Sequence, residues 1–135
     1  DHTLSELARV LKPGGTLVAS DSDFGFVVVE PLSAAEVAEL FDAAAPAFRE
    51  PNVGRKLRGA YRRAGLDQVR VEITVQPDER GNLRGVLENM IGYGTRFGRM
   101  SEARAAELRA RIDAAIASGD FFMALPQWWV RGVKP

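Results

Sequence analysis

Two carboxylates, Asp21 and Asp23, follow the apolar run TLVAS at 16–20. A carboxylate just beyond the carboxyl end of a sheet strand can orient a substrate hydroxyl or amine, or accept its proton. It can equally cap a turn. Phe24 and Phe26 come next, able to line the same pocket or to pack in the core. Residues 92–98 read GYGTRFG, a G-x-G-x-x-x-G pattern. A dinucleotide loop must leave a strand and open a helix. This run follows a helical stretch instead. It is expected to be a broken, mobile helix at a substrate mouth, with Tyr93, Arg96 and Phe97 as lid residues and the glycines giving the freedom to move. The expected substrate-contacting set is therefore Asp21, Asp23, Phe24, Tyr93, Arg96 and Phe97, and none of them is singled out as the catalytic base.

Other groups are weaker candidates. Arg55, Lys56, Arg58, Arg62 and Arg63 place five cations in nine residues. With Tyr61 as a stacking aromatic this could bind RNA. Tyr61, however, falls on the apolar face with Leu57, so a solvated helix face is the simpler reading. Phe121, Phe122, Trp128 and Trp129 fit packing on a closing strand. His2 is the one histidine, beside the chain start, and is expected to be exposed and idle.

These residues need elements to place them. Leu4, Leu7, Ala8 and Leu11 recur at helical spacing, and Pro13-Gly14-Gly15 stops that helix. Residues 16–20 read as a buried strand, and 24–30 as its extension or an irregular connection. Ser33 and Glu36 form a capping box for a helix that Pro46 must kink or end. Asn52 caps a helix over 53–64, with Gly65 as its stop. Residues 68–76 alternate strictly, with Val69, Val71, Ile73 and Val75 on one side of a half-buried strand that Pro77-Asp78 breaks. Helices follow at 82–98 and 102–118, the second capped by Ser101 and closed by Gly119. Residues 121–133 form a last strand interrupted at Pro126. The alternation of helices with strands predicts an α/β layered fold.

Composition sets the outer limits. The chain has 135 residues, one domain's worth, with an ordinary globular balance of 46% apolar and 27% charged residues. Eighteen Lys and Arg offset eighteen Asp and Glu, which argues against a duplex-DNA binder. With no cysteine, disulfides, cysteine zinc sites and a thiol nucleophile are excluded. A single histidine excludes any site that needs two. No metal is expected. No apolar run reaches the ~20 residues of a membrane span, and no signal peptide opens the chain. The expectation is a cytoplasmic protein without membrane or nucleic-acid partners.

The run LSELARVLKPGGTLV at 4–18 resembles a segment of the class I S-adenosylmethionine-dependent methyltransferases, the type 11-like small-molecule group. There a helix reading E-x-x-R-V-L-K-P-G-G enters the fifth strand. Glu6, Arg9, Val10, Leu11, Lys12, Pro13, Gly14 and Gly15 match it. VGRKLRGAYRRAGLDQVRVE at 53–72 looks like that family's last helix and sixth strand. FFMALPQWWVRGVKP at 121–135 looks like its closing seventh strand, with the G-x-K-P ending. Three separated stretches match in order.

The resemblance implies the C-terminal half of a Rossmann-like methyltransferase fold. Its three-stranded mixed sheet would use strands near 16–23, 68–76 and 121–133, the last antiparallel between the other two, with helices packed on it and a lid-like helical insertion. Residues 1–135 would be a single partial domain. The first residue is Asp1, and the chain reads as though cut from something longer. The family's Gly-rich loop after its first strand, and the acidic residue ending its second, have no counterpart here. The methyl donor, S-adenosylmethionine, would therefore be held mostly outside this chain, which would give the substrate-side wall and lid and be inactive alone. The free edge of strand 16–23 is expected to pair with a second copy, giving a homodimer or swapped assembly. The rival reading is a non-catalytic α/β interaction module using that same edge.

Overall fold

The computed structural model describes residues 2–135. Its elements in chain order are α1 (His2–Val10), β1 (Thr16–Ser22), β2 (Val28–Glu30), α2 (Ala34–Ala44), α3 (Val53–Arg63), β3 (Asp67–Thr74), β4 (Pro77–Asp78), α4 (Arg84–Arg96), α5 (Glu102–Ser118), β5 (Phe122–Ala124) and β6 (Gln127–Val133). Short 3-10 turns occupy Phe24–Phe26 and Ala45–Ala47. The fold is mixed α/β, with five helices and two three-stranded antiparallel sheets. The chain forms two compact units. One joins residues 1–23, 52–75 and 126–135, and the other joins 24–51 and 76–125. No helix among the described residues is long and apolar enough to cross a membrane.

The first unit is built on the sheet β1-β6-β3. β6 runs antiparallel to both neighbours, so the outer strands are parallel to one another. Partners opposite in the register share a face. Ala19, Val130 and Val71 line up on one face; Ser20, Trp129 and Glu72 line up on the other. α1 and α3 cover the first of these. Ala8, Leu57, Tyr61, Leu66 and Val130 form the core there, with Leu4, Leu11, Leu17 and Val69 packed around it. Leu7 lies outside that core, exposed on α1.

Two glycines let α3 come this close. A Cβ on Gly132 would meet Tyr61 Cδ1 at 2.9 Å, and one on Gly54 would meet Trp128 Cδ2 at 3.0 Å. The Pro13-Gly14-Gly15 turn is tied to the chain end. Gly14 N–H donates to the Lys134 carbonyl at 2.9 Å, and Lys134 N–H to the Gly15 carbonyl at 2.8 Å. Lys134 Nζ donates to the carbonyls of Arg9 and Leu11, closing the C-terminus of α1 with a cation. β3 differs from its half-buried expectation. Val71, Ile73 and Val75 are all exposed, because β3 is an outer strand and α3 reaches only its start.

The second unit packs α2, α4 and α5 with the small sheet β2-β5-β4. The Ser33–Glu36 capping box forms as its spacing predicts, and α2 stops at Ala44 before Pro46. Ser101 Oγ accepts the Arg104 N–H at 3.1 Å to start α5, and Gly119, at φ 83°, ends it. The expected single strand over 121–133 is divided: β5 pairs within this unit, and β6 within the other. Pro77-Asp78, read as a strand break, is a short rung against Ala124 and Met123. Asp78 is buried there. Burial alone would raise its carboxyl, but the N–H groups of Leu83 and Arg80 and the Asn82 amide hold it below the usual carboxylate range.

Candidate functional site

The six residues expected at the site fall in both units, and each unit presents its own group. In the first, β1 ends at Ser22 and Asp23 follows it. Asp21 lies opposite Trp128 in the register and is exposed, with its Oδ1 accepting the Ser22 N–H at 2.7 Å. Asp23 is fully buried. Its carboxylate is gripped by Arg55 from the first turn of α3. The guanidinium Nε donates to Oδ2, Nη2 donates to Oδ1 at 2.6 Å, and the Arg55 backbone N–H also reaches Oδ2. A forked two-point contact of this kind is the strong form of a charge-assisted hydrogen bond. Asp23 fixes the start of α3 against the end of β1. It can take a substrate proton only by giving up that pair, whereas Asp21 has no such tie.

The second unit holds the other four residues. Phe24 begins a row of rings. It stacks on Phe41 at 5.0 Å and meets Phe48 edge-on at 5.0 Å. Phe48 meets Tyr93 edge-on at 6.0 Å, and Tyr93 stacks on Phe97 at 6.4 Å. Separations and tilts in this range are favourable for aromatic pairs. The row runs from the core at Phe41 to solvent at Phe97. Phe24, Tyr93 and Phe97 are thus brought together through Phe48, a ring outside the expected set. Spacing does not reveal it, because Phe48 lies beyond the end of α2 in extended backbone. Arg96 is exposed on the last turn of α4, beside Phe97.

The broken helix expected at 92–98 is corrected. α4 runs unbroken through Gly92 and Gly94 to Arg96. Gly94 is there for packing, since a Cβ would sit 3.2 Å from those of Ala43 and Met100. Gly98, at φ 66°, ends the helix. No strand–glycine loop–helix arrangement that could cradle a nucleoside or sulfonium donor occurs at these residues. Among the described residues, no three His, Asp or Glu side chains converge to hold a metal ion. The first unit also has an open recess of about 280 Å³ between α1, the turn after α3 and Lys134, and none of the six residues lines it.

No protein-family model and no curated protein matches the chain. Among solved structures it is similar to Haemonchus contortus phospholethanolamine N-methyltransferase 2, in complex with phosphomonomethylethanolamine and S-adenosylhomocysteine. That likeness has a TM-score of 0.44 and 15% identity, and covers 98% of this chain but 29% of the other. The chain thus spans under a third of that protein's length.

Proposed function

We propose that this chain is the substrate-side part of an S-adenosylmethionine-dependent methyltransferase acting on a small molecule. The observation that supports it best is the strand arrangement. β6 lies antiparallel between β1 and β3, the order implied for the seventh, fifth and sixth strands by the resemblance at 4–18, 53–72 and 121–135. The structural tie between the P-G-G turn and Lys134 gives the matching ends of that pattern one physical purpose.

Methyl transfer is an in-line displacement, and alignment with exclusion of water supplies much of the rate. In this reading the ring row ending at Tyr93 and Phe97 gives an apolar wall. Asp23 acts through Arg55 as a positioning residue. S-adenosylmethionine would supply the electrophilic methyl group. Residues 92–96 are continuous helix and not a donor loop, and the reading assigns donor binding mostly to residues outside these 135, with the chain alone inactive.

Calorimetric titration with S-adenosylhomocysteine tests this, using the 135-residue chain and a longer chain carrying upstream sequence. Binding by the longer chain alone is expected. Micromolar binding by the short chain would overturn the assignment of the donor site. Silence from both would favour the interaction module. That second reading rests on one feature: the outer edge of β1 has no ladder partner among the described strands. An unpaired edge is a template for a second copy. Sedimentation would then give a homodimer, reduced to monomer by Val18→Pro.

A further inference from the structure

The positive charge of α3 lies in one arc. At 3.6 residues per turn, each residue advances about 100° around the axis. Arg58, Arg62 and Arg55 therefore lie to one side, Lys56 and Arg63 lie to the other, and Gly59 sits between them. All five cations are exposed, and the opposite arc of Leu57, Ala60 and Tyr61 is buried. The helix contains no acidic residue. Arg58 and Arg62 make no ion pair with any described residue. The first unit holds ten Lys and Arg against six Asp and Glu, a net +4, and the second is correspondingly −4. The neutral total conceals this division.

Gly59 is the second, independent observation. A glycine inside a helix costs about 1 kcal/mol relative to alanine. Packing does not require it here, since a Cβ would meet only Arg63 Nη1, the tip of a flexible side chain, at 3.1 Å. The space a side chain would fill here is taken by the Arg63 guanidinium, a flexible group that can swing aside for another backbone.

We propose that the α3 face centred on Gly59 is a docking groove for an acidic segment of a partner protein. The segment lies over Gly59, and its carboxylates pair with Arg58 and Arg62 on one side and with Lys56 and Arg63 on the other. The chemistry of the face selects this occupant. Tyr61, the only aromatic residue of α3, is buried, so single-stranded RNA finds no stacking platform. The arc offers no apolar side chain to enter a lipid surface. A short acidic segment responds to the local field alone, because charges beyond about 8 Å are screened at physiological salt.

The test is fluorescence anisotropy with a labelled Glu-rich peptide about 12 residues long, enough to span the face. The full 135-residue chain is used, beside Arg58→Glu/Arg62→Glu and Gly59→Leu. Saturable, salt-sensitive binding is expected, weakened about tenfold or more by the charge reversals. Gly59→Leu should weaken it several-fold with the melting temperature unchanged or raised. If the double reversal fails to melt cooperatively, Arg58→Gln/Arg62→Gln replaces it. Equal affinity in the charge variants, or undiminished binding by Gly59→Leu, overturns the proposal. So does tighter binding of a single-stranded RNA or of phosphatidylserine vesicles.

Discussion

The second unit gathers eighteen buried apolar residues into one core, while the first gathers five. Their sizes differ far less, 78 residues against 57. The first unit also leaves seven large apolar side chains exposed, including Val18 and Trp129, against four in the second. The contrast is architectural. Three helices around a small sheet close a core on themselves. A three-stranded sheet with helices on one face leaves Val18 and Trp129 on its other face to solvent, while Val71, Ile73 and Val75 extend along an outer strand beyond the reach of α3. The first unit is therefore held by a few specific contacts, and the second by bulk burial.

Core truncation sharpens that contrast most. Leu87 is fully buried in the second unit and Val18 is 55% exposed on the bare sheet face. Leu87→Ala is expected to cost about 2–5 kcal/mol, and Val18→Ala about 0.5 kcal/mol or less, by urea denaturation followed by circular dichroism. Similar losses would break the comparison. Both tryptophans lie in the first unit, so their fluorescence follows that unit alone. It is the readout for Arg55→Ala, which leaves the buried Asp23 carboxylate without its fork. Breaking a buried pair costs about 3–5 kcal/mol, and the half-exposed Arg55 side chain lowers this to about 2 kcal/mol or more. Arg55→Lys should restore only part, because an ammonium cannot reproduce the fork. A wild-type transition in Arg55→Ala would show that the clasp does not hold α3 in place.

Local chemistry was legible in the sequence, and distant chemistry was not. The Ser33–Glu36 box, the Gly119 stop and the Gly65 stop of α3 each depend on residues within a turn of one another, so spacing reveals them; the expected Asn52 cap does not form a side-chain bond to the start of α3. The order of β1, β6 and β3 came through a resemblance, not through periodicity. The small sheet escaped notice because β2, β4 and β5 have two or three residues each, too few to express a period of two. The grip of Arg55 on Asp23 spans 32 positions. On α3 alone, Arg55 looks like its solvated neighbours. The glycines of α4 read as weakness, because nothing local reveals that Gly94 makes room for Ala43 and Met100.

Acid probes the same contrast through charge. Arg111 foremost, with the Ser33 N–H and Arg104, holds the Glu36 carboxyl well below the usual carboxylate range. A carboxyl depressed by folding stabilises the protein above its unfolded pKa, about 4.3 for Glu, and that contribution fades as pH falls toward the folded value. Glu36→Gln keeps an acceptor for the Ser33 N–H but loses the charge. It should lower the stability of the second unit at neutral pH, with a gap to wild type that narrows in acid. A constant gap across the circular dichroism pH series would assign the loss to the cap instead of the ion pairs.

The smallest effect belongs to the thin core of the first unit. Tyr61 is wholly buried, and its hydroxyl has no hydrogen-bond partner. Burial pushes its pKa up, because the phenolate would be stranded in apolar surroundings. A buried hydroxyl without a partner forfeits the hydrogen bonds it had in water. Tyr61→Phe keeps the ring that packs against Gly132 and removes only that oxygen. It should leave stability unchanged or raise it by up to about 1 kcal/mol, read from tryptophan fluorescence in urea. A loss above about 1 kcal/mol would mean that the hydroxyl is satisfied in solution. The core of the first unit would then include a polar contact, and it would rest even less on apolar burial than its five residues indicate.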